Sequence, residues 1–245
     1  MRVAARRLRS DLRTFRPIVD RAWAQALSDE LRWLGSALGE VRDADVQLVR
    51  LETLAPDLLA ELEPVSRRLR ARQSDARASL LEMLRTERYV TLLERLVDGL
   101  RNPILVAQAE DPSKKVLPKL LRRAWSRLEP QAAGLDKASP NEAYHAVRIR
   151  AKRVRYAGEA VAPALGSAAV SRLAEAAADM QDLLGEMHDD VVMADQVAQQ
   201  ATDSGEPAFA YAAGRLVERC LARAAEARSR YLRSWRRLRR ASKRI

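Results

Sequence analysis

The chain repeats itself, and the repeat limits what it can fold into more than any other feature. Arg2-Val3 aligns with Arg148-Ile149 at an offset of 148 − 2 = 146. In that frame Arg6 falls on Lys152, Arg7 on Arg153, Leu8 on Val154 and Arg9 on Arg155. A second block, Leu38-Gly39-Glu40-Val41-Arg42-Asp43, falls on Leu184-Gly185-Glu186-Met187-His188-Asp189 at 185 − 39 = 146, with no gap. Two blocks at one spacing imply a duplicated unit. Units of this length predict paired bundles related by a pseudo-two-fold axis, not a solenoid of short repeats.

The periodicity is helical throughout. Gly (9) and Pro (10) sit between periodic segments, and almost no stretch alternates with period two, so the fold class is all-α. The first helix is expected to run from Met1 into the twenties with a kink at Pro17, and a second from Ala26 to Leu54. Pro64 suits the first turn of a helix ending near Leu84, and Thr86 suits the cap of one ending near Gly99. Residues 99–113, with Asn102-Pro103 and Asp111-Pro112, read as the linker between a first repeat at 1–100 and a second at 113–245, the whole being one domain. A basic helix then runs to about Glu129. Ser139-Pro140-Asn141-Glu142 offers an N-cap, Pro at N1 and Glu at N3 for the next helix, which Pro163 and Gly166 end. Long helices from Ser167 to Thr202 and from Glu206-Pro207 into a basic tail complete the chain.

The repeat also bears on the first residues. Position 145 − 146 = −1 places the partner of His145 before Met1, and the helix at 114–129 would have its partner there too. The first bundle is therefore expected to lack its leading helix, leaving apolar surface for a partner or a second copy to cover.

The stretch His145 to Glu159 carries the most concentrated chemistry. On a helix His145, Arg148, Lys152, Arg155 and Glu159 fall within an arc of about 80°, and Val147, Ala151, Val154, Gly158, Val161 and Leu165 form a second stripe about 120° away. No acid interrupts the cations between His145 and Arg155, whereas a solvated helix normally intersperses them. In the first repeat Arg2, Arg6, Arg9, Arg13 and Arg16 make an equivalent stripe. The whole chain has 44 Lys+Arg against 33 Asp+Glu, a net charge of +11 and a pI near 10.4, which favours phosphate-rich partners. The single Cys220 excludes an intrachain disulfide and a cysteine-based zinc site. No apolar run is long enough to span a bilayer, and Met1 to Ser10 lack the apolar core of a secretory signal. Their arginines resemble a transit peptide superficially, but the repeat assigns them to a helix.

The pattern His-x-x-Arg-x-x-x-Lys-Arg-x-Arg-Tyr-x-x-Glu at 145–159, repeated as Arg2 to Ser10 and accompanied by the Leu-Gly-x-x-x-Asp blocks, resembles the CHAD family (conserved histidine α-helical domain). The resemblance covers nearly the whole chain. It implies two antiparallel four-helix bundles related by a pseudo-dyad around a basic central cleft, binding of inorganic polyphosphate, and residence in the cytoplasm on polyphosphate granules. This sequence departs from the pattern in lacking the first histidine and the leading helix, and in having Arg13 where the second repeat has Glu159.

The expected polyphosphate-binding set is Arg2, Arg6, Arg9 and Arg13 of the first helix, Lys115, Lys119, Arg122 and Arg123 of the linker-proximal helix, and His145, Arg148, Lys152 and Arg155. Guanidinium forks bind phosphate oxygens in pairs, and two stripes brought together make a concave positive surface. His145 either donates to phosphate or fastens its helix to a backbone carbonyl near Asn141. No cofactor or resident metal is expected, and no catalysis. Two alternatives stand beside this reading. The acid-free tail after Glu226, with Tyr231 and Trp235 within it, could bind nucleic acid by counterion release and stacking, or be a frayed, solvated end. The acids Glu40, Asp43, Asp45 and Glu52, and Glu175 to Asp195 on the counterpart helix, with His188-Asp189, invite a metal-dependent phosphohydrolase. But Arg42 replaces His188 in the other repeat and cannot ligate a metal, so Asp43 and Asp189 are expected to orient the signature arginines instead. Trp23, Trp33 and Trp125 are expected at the core or bundle edge.

Overall fold

The computed structural model describes residues 1–244; Ile245, the last residue of the second repeat, lies outside the described residues. Eight α-helices account for the described chain: α1 (Arg2–Thr14), α2 (Arg21–Leu54), α3 (Glu63–Leu84), α4 (Glu87–Arg101), α5 (Ser113–Ala133), α6 (Asn141–Leu165), α7 (Ala168–Ser204) and α8 (Pro207–Ser242). One 3₁₀ turn, Ala107–Glu110, lies in the linker. Shifted by 146, α1 falls within α6, α2 along α7, and α3 followed by α4 along α8. Only α5 has no counterpart among α1–α4.

Several helix ends differ from expectation, each for a local reason. The first helix stops at Thr14 and α2 starts at Arg21, so Pro17 sits in a break and not in a kinked helix. Pro17 cannot donate to a helical ladder. The segment is held instead by Ile104 and Val106 of the linker, through Asp20 N–H to Ile104 O (2.8 Å) and Val106 N–H to Ile18 O (3.2 Å). Asp20 then caps α2, its carboxylate accepting from the Trp23 N–H at 2.7 Å. α4 ends at Arg101, close to the expected Gly99, where a Cβ would stand 2.9 Å from Trp23 Cζ2, so the absent side chain admits the indole. α5 runs on through Pro130 to Ala133. Ser139 does not cap α6, because its hydroxyl is engaged with Asp136 at 2.9 Å in the preceding turn. Thr86 likewise turns back, donating to Met83 O at 2.7 Å. Pro163 is accommodated within α6, and the helix closes at Gly166, whose φ of 58° is the left-handed conformation that favours glycine.

The contacts divide the chain into two compact units. The first comprises residues 1–35, 87–184 and 230–245; the second comprises 36–86 and 185–229. In the second unit Leu51, Leu62, Val65, Met193, Val197, Phe209 and Leu216 form a core of near-zero exposure. Asp190 is buried beside it and held by Arg50 (3.1 Å) and Arg223 (3.4 Å). Burial pushes its carboxyl above the usual range while the two guanidinium groups pull it back. In the first unit α5 and α1 both pack on α6. Leu117, Leu120, Leu121 and Leu128 of α5 are buried there, with Val147, Ala151, Val154 and Val161 of α6. Gly158 of α6 lets α7 come close, since a Cβ at 158 would meet that of Ala174 at 2.9 Å.

A cationic face on α1 and α6

The apolar stripe of α6 fixes the rotation of that helix. With Val147, Ala151, Val154 and Val161 fully buried, His145, Arg148 and Lys152 are left half-buried on the adjoining face. Ala5 does the same for α1, and Arg2, Arg6 and Arg9 are likewise half-buried. Most arginines elsewhere in the chain are exposed. The predicted stripes thus do meet along α1 and α6.

Lys152 is the electrostatic centre of this face. Burial lowers its ammonium pKa first, and Arg6, Arg148, Arg2 and Arg9 lower it further, to about 8. No acid acts on it to offset them. The Nε atoms of Arg6, Arg9 and Arg148 are shielded from solvent and make no hydrogen bond within the described chain. His145 is pushed below the ordinary histidine value, by burial and then by Arg148, so the apo face favours its neutral form.

Arg13 continues the α1 row at the far end. Burial holds its guanidinium below the usual range, with Arg9 and Arg32 adding to the effect. Arg153, on the α6 side, is lowered by burial and then by Arg13, Arg150 and Arg127, and its Nε too has no hydrogen-bond partner. Neither Arg32 nor Arg153 belongs to the predicted set. Arg153 lies off the stripe of α6 by its phase. Arg32 belongs to α2, whose sequence carries no cationic row; it pairs with Asp29 at 3.0 Å, and both act on Arg9 with opposite sign.

The remaining predicted residues sit in different company. Arg155 donates from Nε to Glu159 at 2.7 Å, and Arg7 reaches the other oxygen of Glu159 at 3.9 Å. Asp11 adjoins them, its carboxyl raised chiefly by burial, with Arg7 opposing and Glu159 adding to the rise. Two arginines and two acids therefore form a balanced group on the same pair of helices that bears the Lys152 cluster. Tyr156 lies between them, with Arg6 at 5.9 Å and Arg155 at 5.6 Å from its ring. On α5, Lys115 pairs with Asp111 at 3.2 Å, while Lys119, Arg122 and Arg123 are exposed. The charges acting on Lys152 come from α1 and α6 and not from these four.

The basic tail is neither frayed nor open to bases. α8 is helical to Ser242, and Tyr231 and Trp235 are 1% and 6% exposed. Trp235 stacks on Trp125 at 5.7 Å, and Tyr231 meets Tyr144 edge-on while its hydroxyl donates to Ala132 O at 2.6 Å. Both aromatics are committed to the core. In the acidic block Asp190 pairs with Arg50 and Arg223 and Asp179 pairs with Arg237, and none of these arginines belongs to the signature helices. Among the described residues no cluster of three or more His, Cys, Asp or Glu side chains could hold a metal ion, and no helix is long and apolar enough to cross a membrane.

Comparison with known proteins agrees with this architecture. The sequence profile of the CHAD domain matches residues 1–198. Two uncharacterized proteins of Mycobacterium tuberculosis, MT2285 (strain CDC 1551 / Oshkosh) and Rv2226 (strain H37Rv), are each 32% identical over 241 residues, covering 90% of this chain. The chain spans only 45% of the length of either relative. Among solved structures, PptA from Streptomyces chartreusis superposes with a TM-score of 0.77 over 96% of this chain and 87% of that one, at 24% identity. The CHAD domain from the plant Ricinus communis superposes with a TM-score of 0.68 over 100% of this chain and 80% of that one, also at 24% identity. These structures establish a shared fold, and together with the profile match they place the chain in the CHAD domain family.

Proposed function

We propose that this chain binds inorganic polyphosphate along the cationic face of α1 and α6, without catalysing its breakdown. The observation that carries the proposal is Lys152, half-buried among Arg2, Arg6, Arg9 and Arg148, each of which pushes its ammonium pKa down. Like charges so placed repel, and a polyanion would relieve that repulsion while supplying acceptors for the shielded Nε atoms of Arg6, Arg9 and Arg148. Membership of a family linked to polyphosphate binding supports the choice among polyanions. The repeat supports a two-fold cleft, with α1 and α6 as its equivalent walls. Arg13 and Arg153 would extend the track, and Lys119, Arg122 and Arg123 would meet longer chains. His145 would take up a proton beside phosphate. In this reading the protein acts in the cytoplasm, at polyphosphate granules.

Competition at physiological salt among long-chain polyphosphate, single-stranded DNA and heparin tests the ligand. Polyphosphate should displace the other two. Equal displacement by all three would reduce the site to a general polyanion surface.

A second reading rests on α8, where Arg233, Arg236, Arg239, Arg240 and Lys243 line one basic groove. With Tyr231 and Trp235 buried, it would contact a nucleic-acid backbone without stacking on bases.

A further inference from the structure

A hollow of about 300 Å³ opens between α2, α7 and α8, and every residue lining it belongs to the second unit. Arg42, Val46, Val49, Arg50 and Thr53 reach it from α2 at i, i+4, i+7, i+8 and i+11, the spacing of one helix face. Glu186 of α7 and Arg223 of α8 complete its charged lining.

Arg50 anchors the hollow. Its side chain is only 12% exposed, and its fork donates to the Asp190 carboxylate at 3.1 Å and to Glu186 O at 3.3 Å. Its Nε is shielded and has no hydrogen-bond partner among the described residues, so donor capacity is left over. Arg223 holds the other oxygen of Asp190 at 3.4 Å. Three guanidinium groups therefore meet two carboxylates, Asp190 and Glu186, and one positive charge remains. Beside it lie Val46, Val49 and Leu54, and Val49 is 60% exposed.

The repeat shows that packing alone does not call for these charges. Shifted by 146, Glu186 falls on Glu40, while Val49, Arg50, Thr53 and Leu54 fall on Asp195, Gln196, Gln199 and Gln200. Those five residues line the corresponding hollow, which is closed by α3 in place of α8. Ala44, itself buried, stands there in the position of Asp190. One copy of the bundle thus carries an arginine–aspartate pair where the other carries glutamine and alanine.

We infer that the hollow between α2, α7 and α8 binds a small organic anion with one acidic head group, a carboxylate or a phosphate monoester, on a short apolar body. The head group would sit among Arg42, Arg50 and Arg223, and the body would lie on Val46, Val49 and Leu54. A surplus of one charge beside apolar surface suits a single head group and not a long polyanion. None of these residues belongs to the face proposed for polyphosphate, so the two readings stand or fall separately.

The test titrates the intact 245-residue protein calorimetrically with phenylacetate, phenyl phosphate and the neutral benzyl alcohol. At least one of the two anions should bind saturably, roughly tenfold more tightly than the alcohol, and the tighter of them names the head group. Arg50→Gln/Asp190→Ala gives both positions the residue types of the other repeat, so its circular dichroism should stay native while binding weakens roughly tenfold or more. Arg42→Gln, at an exposed position, repeats the test without touching the buried pair and should weaken binding several-fold. Arg148→Glu/Lys152→Glu should leave binding of the small anion unchanged, and long-chain polyphosphate should not displace it. Failure of both anions to bind, equal binding of benzyl alcohol, or native affinity in Arg42→Gln and the folded double variant would overturn the inference. Displacement by polyphosphate would also overturn it, by making the hollow part of a general polyanion surface.

Discussion

Arg6 of α1 is the charge that acts most strongly on Lys152 of α6. The two helices pack on each other with Ala5, Val147, Ala151 and Val154 buried, so apolar burial in this unit holds in place two cationic rows that would otherwise separate. A stability consequence follows. The folded-state pKa of Lys152, about 8, lies below the value of roughly 10.4 for a lysine in an unfolded chain. The folded protein binds fewer protons than the unfolded one between those values. Its stability should therefore rise as pH increases through that window. Lys152→Met should raise the Tm at pH 7 and flatten this rise, as measured by thermal unfolding at pH 7, 8 and 9.5. A Tm that falls equally in both proteins would count against a strained ammonium.

Binding should carry the same signature with the opposite sense. An anion on this face favours the protonated lysine, so complex formation takes up protons near pH 8. Apparent affinity for polyphosphate should fall roughly tenfold from pH 7 to pH 9 if the bound lysine regains its ordinary value, and proton uptake by His145 should strengthen it further below pH 7. Calorimetry in two buffers of different ionisation heat measures the uptake directly. Lys152→Met should abolish the pH-dependent component while leaving binding by the arginines.

Arg155 is paired with Glu159 while the Nε of Arg148 has no hydrogen-bond partner, and this difference predicts unequal effects from similar substitutions. Arg148→Ala removes a guanidinium whose Nε has no protein partner and should weaken binding by about 1.5–3 kcal/mol, the worth of a charge-assisted contact. Arg155→Ala removes one held at 2.7 Å by Glu159 and should cost binding much less. Titration of both variants with one polyphosphate preparation decides the point. Equal losses would mean that Glu159 releases Arg155 on binding.

Tyr231 and Trp235 should behave as core residues. Trp235→Ala should destabilise by roughly 3–5 kcal/mol, and Tyr231→Phe by about 1–3 kcal/mol through the stranded Ala132 carbonyl. Denaturant unfolding measures both. Deleting the tail after Glu226 would remove this packing as well as charge. A nucleic-acid role for α8 is better tested by Arg233→Ala/Arg236→Ala/Arg240→Ala, which changes exposed side chains only.

The features legible in the sequence were those set by periodicity. The 146-residue offset, the all-α class and the stripes on α1 and α6 needed only helical phase. What escaped depends on contacts distant in sequence. The break after Thr14 is made by backbone bonds from 18–20 to 104–106, nearly ninety residues away. Ser139 has the composition of a cap but is drawn off by Asp136. Arg148 and Arg155 look alike along α6, and only the rotation of α1 brings Arg7 and Asp11 to one and Arg6 to the other. Arg32, itself paired with Asp29, and Arg153 reach the charges of α1 only in the folded chain, and Tyr231 and Trp235 were hidden from a sequence reading by the arginines around them.

The central claim is that the face around Lys152 is the polyphosphate site. Isothermal titration of long-chain polyphosphate into the native protein and into Arg148→Glu/Lys152→Glu at physiological salt tests it most directly. The account predicts saturable binding to the native protein, affinity that drops with added salt, and no measurable binding to the variant while its helical circular dichroism is unchanged. Retention of native affinity by the folded variant would contradict it.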